Sequence, residues 1–112
     1  MLNHAIDMKD VLTTNDPMGA AIRDYYKDGK ADLLMVRSSM FDDDHIPVET
    51  LFREFDQMPQ IEQYALQCAE GRILDVGAGS GCHSLALQKM GKQVVAMDIS
   101  ELSVDVMKAR GV

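Results

Sequence analysis

The chain has 112 residues, 46% of them hydrophobic and 26% charged, with a formal net charge of −7; this is ordinary globular usage for one domain and excludes a disordered chain. No stretch approaches the apolar length that spans a membrane, and Met1-Leu2-Asn3-His4-Ala5 lacks the basic region and apolar core of an export signal, so a cytoplasmic protein is expected. Acids outnumber bases twelve to six over residues 1–60 and only six to five over residues 61–112; with no basic stripe to neutralise phosphates, nucleic acid is not the expected partner.

Asp16-Pro17 supplies an N-cap and a first-turn proline, and Met18, Ala21, Ile22 and Tyr25 then share one helical face that Gly29 closes. The apolar run Leu33-Leu34-Met35-Val36 is short enough to favour a strand, and Asp42-Asp43-Asp44-His45 reads as a polar loop. Pro47 opens a second helix, with Val48, Leu51, Phe52 and Phe55 at the i, i+3, i+4 and i+7 positions. Pro59 opens a third, which turns Ile61, Tyr64, Ala65 and Cys68 inward and ends at Gly71.

A strand follows from Arg72 to Val76, then a glycine-rich loop, then a helix with Cys82, Leu85, Ala86 and Met90 as its buried stripe and Gly91 at its end. Gln93 to Met97 forms a second strand, and Ser100 caps a last helix through Leu102, Val106 and Met107 that Gly111 stops. The strand-helix-strand unit from Arg72 to Met97 predicts a right-handed parallel crossover, so the fold class is α/β. Ligands of such sheets sit beyond the carboxyl ends of the strands. Both the loop and Asp98 occupy those ends.

The loop reads Asp75-Val76-Gly77-Ala78-Gly79-Ser80-Gly81. Alternating glycines let backbone N–H groups approach a small polar ligand with no Cβ in the way. A dinucleotide fingerprint needs G-x-G-x-x-G, but the third glycine position falls on Cys82 when counted from Gly77 and on Ser84 when counted from Gly79. An acid at the strand end, Asp75, also repels a pyrophosphate. A nicotinamide-dependent Rossmann protein is therefore a weaker reading, although the position of Asp98 fits it.

The D-x-G-x-G-x-G pattern with Asp98 after the apolar Val94-Val95-Ala96-Met97 resembles the class I S-adenosylmethionine-dependent methyltransferases. The resemblance implies a Rossmann-like domain in which Asp75, Gly77, Ala78, Gly79, Ser80 and Gly81 wrap the cationic methionine end of S-adenosylmethionine. Asp98 would take the two ribose hydroxyls, with Ile99 next to it in the cofactor site; two acceptor oxygens in one plane suit a vicinal diol. S-adenosylhomocysteine would be the product.

The same resemblance implies that only the first two parallel strands of that family's sheet are present, preceded by a mainly helical lid or leader over residues 1–60. Residues 61–112 would be the first half of the cofactor domain. The adenine loop and the acceptor site are then absent, so no catalytic residue can be named, and activity of the chain alone is not expected. A small-molecule or protein acceptor fits the charge. Two parallel strands leave bare edges and faces, which predicts a homo-oligomer or a fragment of a longer enzyme. The alternative outside catalysis is an interaction or sensor module that keeps the cofactor fold.

Other residues read more plainly. Cys68 and Cys82 are expected as reduced, partly buried thiols, and the nine methionines as adaptable packing. Asp42 to His45 lacks a calcium-loop pattern, and no metal is expected. Arg53 reads as a solvated arginine in preference to a partner for the cofactor carboxylate, Tyr25 as core, Tyr26 as edge and His83 as helix surface. His4 and His45 have no Ser or Cys partners in an arrangement that would suggest a hydrolase.

Overall fold

A computed structural model describes residues 15–112; the reading of Met1 to Ala5, including His4, lies outside them. Helix α1 is Pro17–Asp28, with Asp16 accepting the Gly19 N–H at its start and Gly29 ending it. The N-cap and proline thus act as the sequence implies. Of its predicted face, Ala21 and Ile22 are buried, Tyr25 is half-buried and Met18 is exposed.

Strand β1, Leu34–Val36, pairs antiparallel with β2, Asp44–Ile46, in the register Leu34 to Ile46 and Val36 to Asp44. The expected polar loop is therefore shorter than its composition suggests, because Asp44 and His45 are taken into the ladder. Ala21, Leu34 and Val48 form a small core here, with Tyr25, Ala31, Ile46 and Phe52 packed on it.

The second predicted helix is a correction. Residues Val48–Phe52 and Phe55–Gln57 form two short 3₁₀ turns, broken by extended Arg53 and Glu54. The break has a local cause: Glu54 and Gln57 make a reciprocal capping box that starts the second turn afresh.

Helix α2, Gln60–Cys68, forms where Pro59 predicts it but turns a different face inward. Ile61 is 79% exposed and Tyr64 68%, and Ala65 and Cys68 are also exposed. Polar contacts hold the other side: Gln63 Nε2 donates to the Met58 carbonyl, and Glu62 pairs with Arg53. At the far end, Lys92 Nζ donates to the carbonyls of Leu66, Gln67 and Ala69 at 2.9, 2.6 and 2.7 Å. One ammonium thus caps the negative end of α2 and ties it to the turn before the second parallel strand.

Strands β3, Arg72–Val76, and β4, Gln93–Met97, are parallel, paired Arg72 with Gln93 through Val76 with Met97. Between them runs α3, Cys82–Lys89; after them comes α4, Glu101–Arg110, capped by Ser100 and ended by Gly111. The inward side of α3 is rotated from the predicted stripe. Ser84, Ala86 and Leu87 are buried, whereas Cys82, Leu85 and Met90 are only half-buried. Helix α4 packs on α1, with Val106 and Met107 buried at its inner side.

The two faces of this strand pair differ. Ile73, Asp75, Val94 and Ala96 are half-buried, while Leu74, Val76, Val95 and Met97 are 50% to 69% exposed. One apolar face of the sheet therefore has no cover among the described residues.

Charge-assisted bonds to otherwise orphaned carbonyls are among the stronger ones in water. Lys92→Met is accordingly expected to lower stability by about 1–2 kcal/mol, seen as a lower urea midpoint with an unchanged slope. An unchanged midpoint would show that the clamp contributes nothing.

Candidate functional site

The carboxyl end of β3 opens directly into the glycine loop. Gly77, Gly79 and Gly81 have φ of +68°, +58° and +83°, a region that other residues enter only at a cost, so the turn needs glycine at each alternate position. The ladder continues into it, since the Ala78 N–H donates to the Met97 carbonyl at 3.0 Å. The Gly81 N–H then donates to the Ala78 carbonyl at 2.9 Å and closes the loop. A Cβ at Gly81 would also lie 2.9 Å from Met107 Cγ.

Asp98 is half-buried and makes two bonds across the site. Its Oδ2 accepts the Gly79 N–H at 2.8 Å, and its Oδ1 accepts the Ser100 N–H at 2.9 Å. Each carboxylate oxygen keeps a further lone pair. Asp75 points to the α3 side of the sheet, where its Oδ2 accepts the hydroxyl of the fully buried Ser84 at 2.8 Å. Gly81 is the N-cap of α3 and supplies no side-chain cap. The first turn of α3 thus begins without a capping oxygen from Gly81, although the His83 N–H bonds to the Cys82 sulfur; a helix start of this kind suits an anionic group. Ile99 follows Asp98 and is 82% exposed.

Contacts that the sequence did not signal fasten the loop from behind. The buried Ser80 donates its hydroxyl to the Leu51 carbonyl, and Arg110 Nη1 donates to the Ser80 carbonyl at 2.7 Å. The Arg110 guanidinium lies 4.8 Å over the Phe52 ring, and that ring sits 4.8 Å from Tyr25. Tyr25 is thus a packing residue and Tyr26 is exposed, as read from the sequence. Asp16 joins in as well, accepting the hydroxyl of Ser100. Gly19 is forced by this contact, because a Cβ there would collide with the Asp16 carboxylate and the Ser100 hydroxyl. The signal for it was half visible: Asp16 and Ser100 both read as N-caps, but nothing local says that they meet.

Arg53 is a correction. It is not solvated: its Nε donates to the Thr50 carbonyl at 2.6 Å, and its Nη2 lies 3.0 Å from Glu62 Oε2. His83 also reaches Glu62, with Nε2 at 3.3 Å, so it bridges α3 to α2. Burial works to raise the Glu62 carboxyl, but hydrogen bonds from His83 and Arg53 and their charges outweigh it and hold the group below its ordinary value. Cys82 is half-buried and its thiol is pushed up by burial, whereas Cys68 is exposed, which corrects the expectation of two partly buried thiols. Among the described residues no group of three or more His, Cys, Asp or Glu is placed to hold a metal ion. No described helix is long and apolar enough to cross a membrane.

The family model described as ribosomal protein L11 methyltransferase (PrmA) matches residues 57–110. Among solved structures, the chain is similar to an S-adenosylmethionine-dependent methyltransferase from Bacteroides fragilis in complex with S-adenosyl-L-homocysteine. The two are 59% identical with a TM-score of 0.83, and the match covers 97% of this chain and 43% of that one. The chain thus spans less than half the length of that protein. No curated protein sequence matches it.

The Glu62 clamp has a pH signature. A carboxyl held low in the folded state stabilises above its unfolded value, ordinarily 4.5, and that contribution is lost as pH falls through the folded value. In urea unfolding between about pH 6 and pH 3, the protein is expected to lose more stability than its Glu62→Gln variant. Parallel losses would remove the clamp from the account.

Proposed function

We propose that this chain, which over the part it spans belongs to the class I S-adenosylmethionine-dependent methyltransferases, holds S-adenosylmethionine at the carboxyl ends of β3 and β4. The observation that carries this reading is the three-glycine turn, bonded through Gly79 to Asp98. Support comes from the S-adenosylhomocysteine complex of the Bacteroides fragilis protein, which is similar over nearly all of this chain.

The residues fit such a group. Gly77 to Gly81 let the methionine moiety come against the backbone, Asp75 places a carboxylate near its ammonium, and the open α3 N-terminus suits its carboxylate. Asp98 has lone pairs left for the ribose hydroxyls, and Ile99 offers an exposed apolar surface to the adenosine. When bound, the cofactor supplies an electrophilic methyl group on its sulfonium. The chain's own residues bind and orient it; in methyl transfer, rate comes from positioning and desolvation. The acceptor we propose is a small molecule or a protein, and the whole enzyme's transfer activity needs an acceptor site that none of the residues named here provides.

We also propose that the protein is cytoplasmic and that its open sheet face is covered in use. Leu74, Val76, Val95 and Met97 together present an apolar surface of the kind that soluble proteins bury. A second copy, or a longer polypeptide carrying further strands, is the partner such a face takes. In light scattering the chain is expected as a dimer or larger, and a stable monomer would leave only the longer polypeptide.

Calorimetry with S-adenosylhomocysteine and with NAD tests the cofactor reading. The first is expected to bind and the second not. Asp98→Ala is expected to weaken binding by at least about tenfold, since a charged acceptor to two hydroxyls is lost. Binding of NAD alone, or no binding of either, would overturn the assignment.

A further inference from the structure

A cavity of about 590 Å³ is lined by α3 and its C-cap, by Arg53, Glu54 and Phe55, and by Gln67 and Arg110, with no residue of β3 or β4 in its wall. Its apolar wall is Cys82, Leu85, Ala86 and Met90, one stripe along α3 and its C-cap, together with Phe55. That volume is the size of a small-molecule site, and the lining is mostly apolar with a few polar groups.

The charges around it are the informative part. Arg53, Lys89 and Arg110 line the cavity against one acid, Glu54, in a chain whose net charge is −7. Two of the cations are neutralised: Lys89 lies 2.9 Å from Glu54, and Arg53 lies 3.0 Å from Glu62. Arg110 differs. It donates to the Ser80 carbonyl and covers the Phe52 ring, and among the described residues no carboxylate is in ion-pair contact with it, although its charge helps from farther off to hold Glu54 low. A guanidinium has five donors, and a carbonyl takes only part of that capacity. The positive field reaches the cavity wall, for Arg53 and Arg110 both oppose the effect of burial on the Cys82 thiol.

We propose that this cavity binds a small amphipathic monocarboxylate, its apolar body between α3 and Phe55 and its carboxylate on Arg110. One guanidinium with no carboxylate in close contact among the described residues matches a single negative charge, and its planar fork matches a carboxylate. A dianion would meet Glu54 and the chain's excess acid. The side chains that would hold this ligand are none of those proposed to hold the cofactor, although Arg110 also fastens the Ser80 carbonyl of the glycine loop and Cys82 begins the helix whose N-terminus faces it.

The two cysteines provide an internal comparison, since Cys82 lines the cavity and Cys68 is exposed on α2. The experiment is alkylation of the intact chain by iodoacetamide, followed by mass spectrometry, with 4-phenylbutyrate as the probe and 4-phenylbutyramide as its neutral counterpart. At saturation the carboxylate is expected to slow labelling of Cys82 by about tenfold and to leave Cys68 unchanged, while the amide protects much less. Arg110→Gln is expected to remove the difference between the two probes. Equal protection by the amide in the unaltered protein, equal slowing at Cys68, or no protection would each overturn the proposal without recourse to the variant.

Discussion

The carboxylate of Asp98 is the point on which the site's shape depends. A loop with three glycines at positive φ has little side chain of its own to pack beyond the buried Ser80, so its conformation must be imposed largely by bonds from elsewhere. Asp98 supplies one with Oδ2 on the Gly79 N–H and uses Oδ1 to start α4 at Ser100. The end of β4 therefore sets both the glycine turn and the direction of the helix that follows. A charge in that position serves better than an amide, because both N–H groups need acceptors and a carboxylate gives two equivalent ones.

The segments before β3 act as a backing for this loop. Leu51 takes the Ser80 hydroxyl, Phe52 lies under Arg110, and the Ile22 side chain sits within van der Waals range of where a Cβ at Gly79 would be. At the other edge, Asp16 holds Gly19 and Ser100 at once. As a mere cover, residues 15–60 would be separable from the glycine loop. Their contacts run to the loop's rear, so packing in the leader sets geometry at the site.

Much of this was legible in the sequence, and the limits have a common cause. The two parallel strands appear with the predicted ends, and Asp16-Pro17, Ser100 and Gly111 mark helix boundaries as read. Those signals are local: a cap, a turn or an apolar run determines its own few residues. The errors fall where a neighbour decides. Val48 to Phe55 has helical spacing, but the Glu54 and Gln57 capping box restarts the chain as 3₁₀ turns. Ile61 and Tyr64 have the spacing of a buried stripe, yet α2 is oriented by Arg53, Lys92 and Met58, all from outside it. In the site, the glycine spacing and the two acids could be read, whereas Ser84 on Asp75 and Arg110 on Ser80 join residues whose meeting no local pattern encodes.

The strand pair also explains why the site and the bare face coexist. Helix α3 covers one side of β3 and β4, and everything that fixes the loop attaches from that side or from the strand ends: Ser84 to Asp75, the α3 N-terminus at Gly81, and Asp98 with α4. The opposite face, Leu74 with Val95 and Val76 with Met97 in register, contributes nothing to the loop's geometry. Burying the exposed part of these side chains, 50% to 69% of each, is worth about 1–2 kcal/mol apiece, so the face is an unused source of stability. The geometry of the glycine loop and the completion of the sheet are therefore separable demands on this chain. The first is met by bonds within residues 15–112, and the second by none of the described residues, which leave Leu74, Val76, Val95 and Met97 exposed.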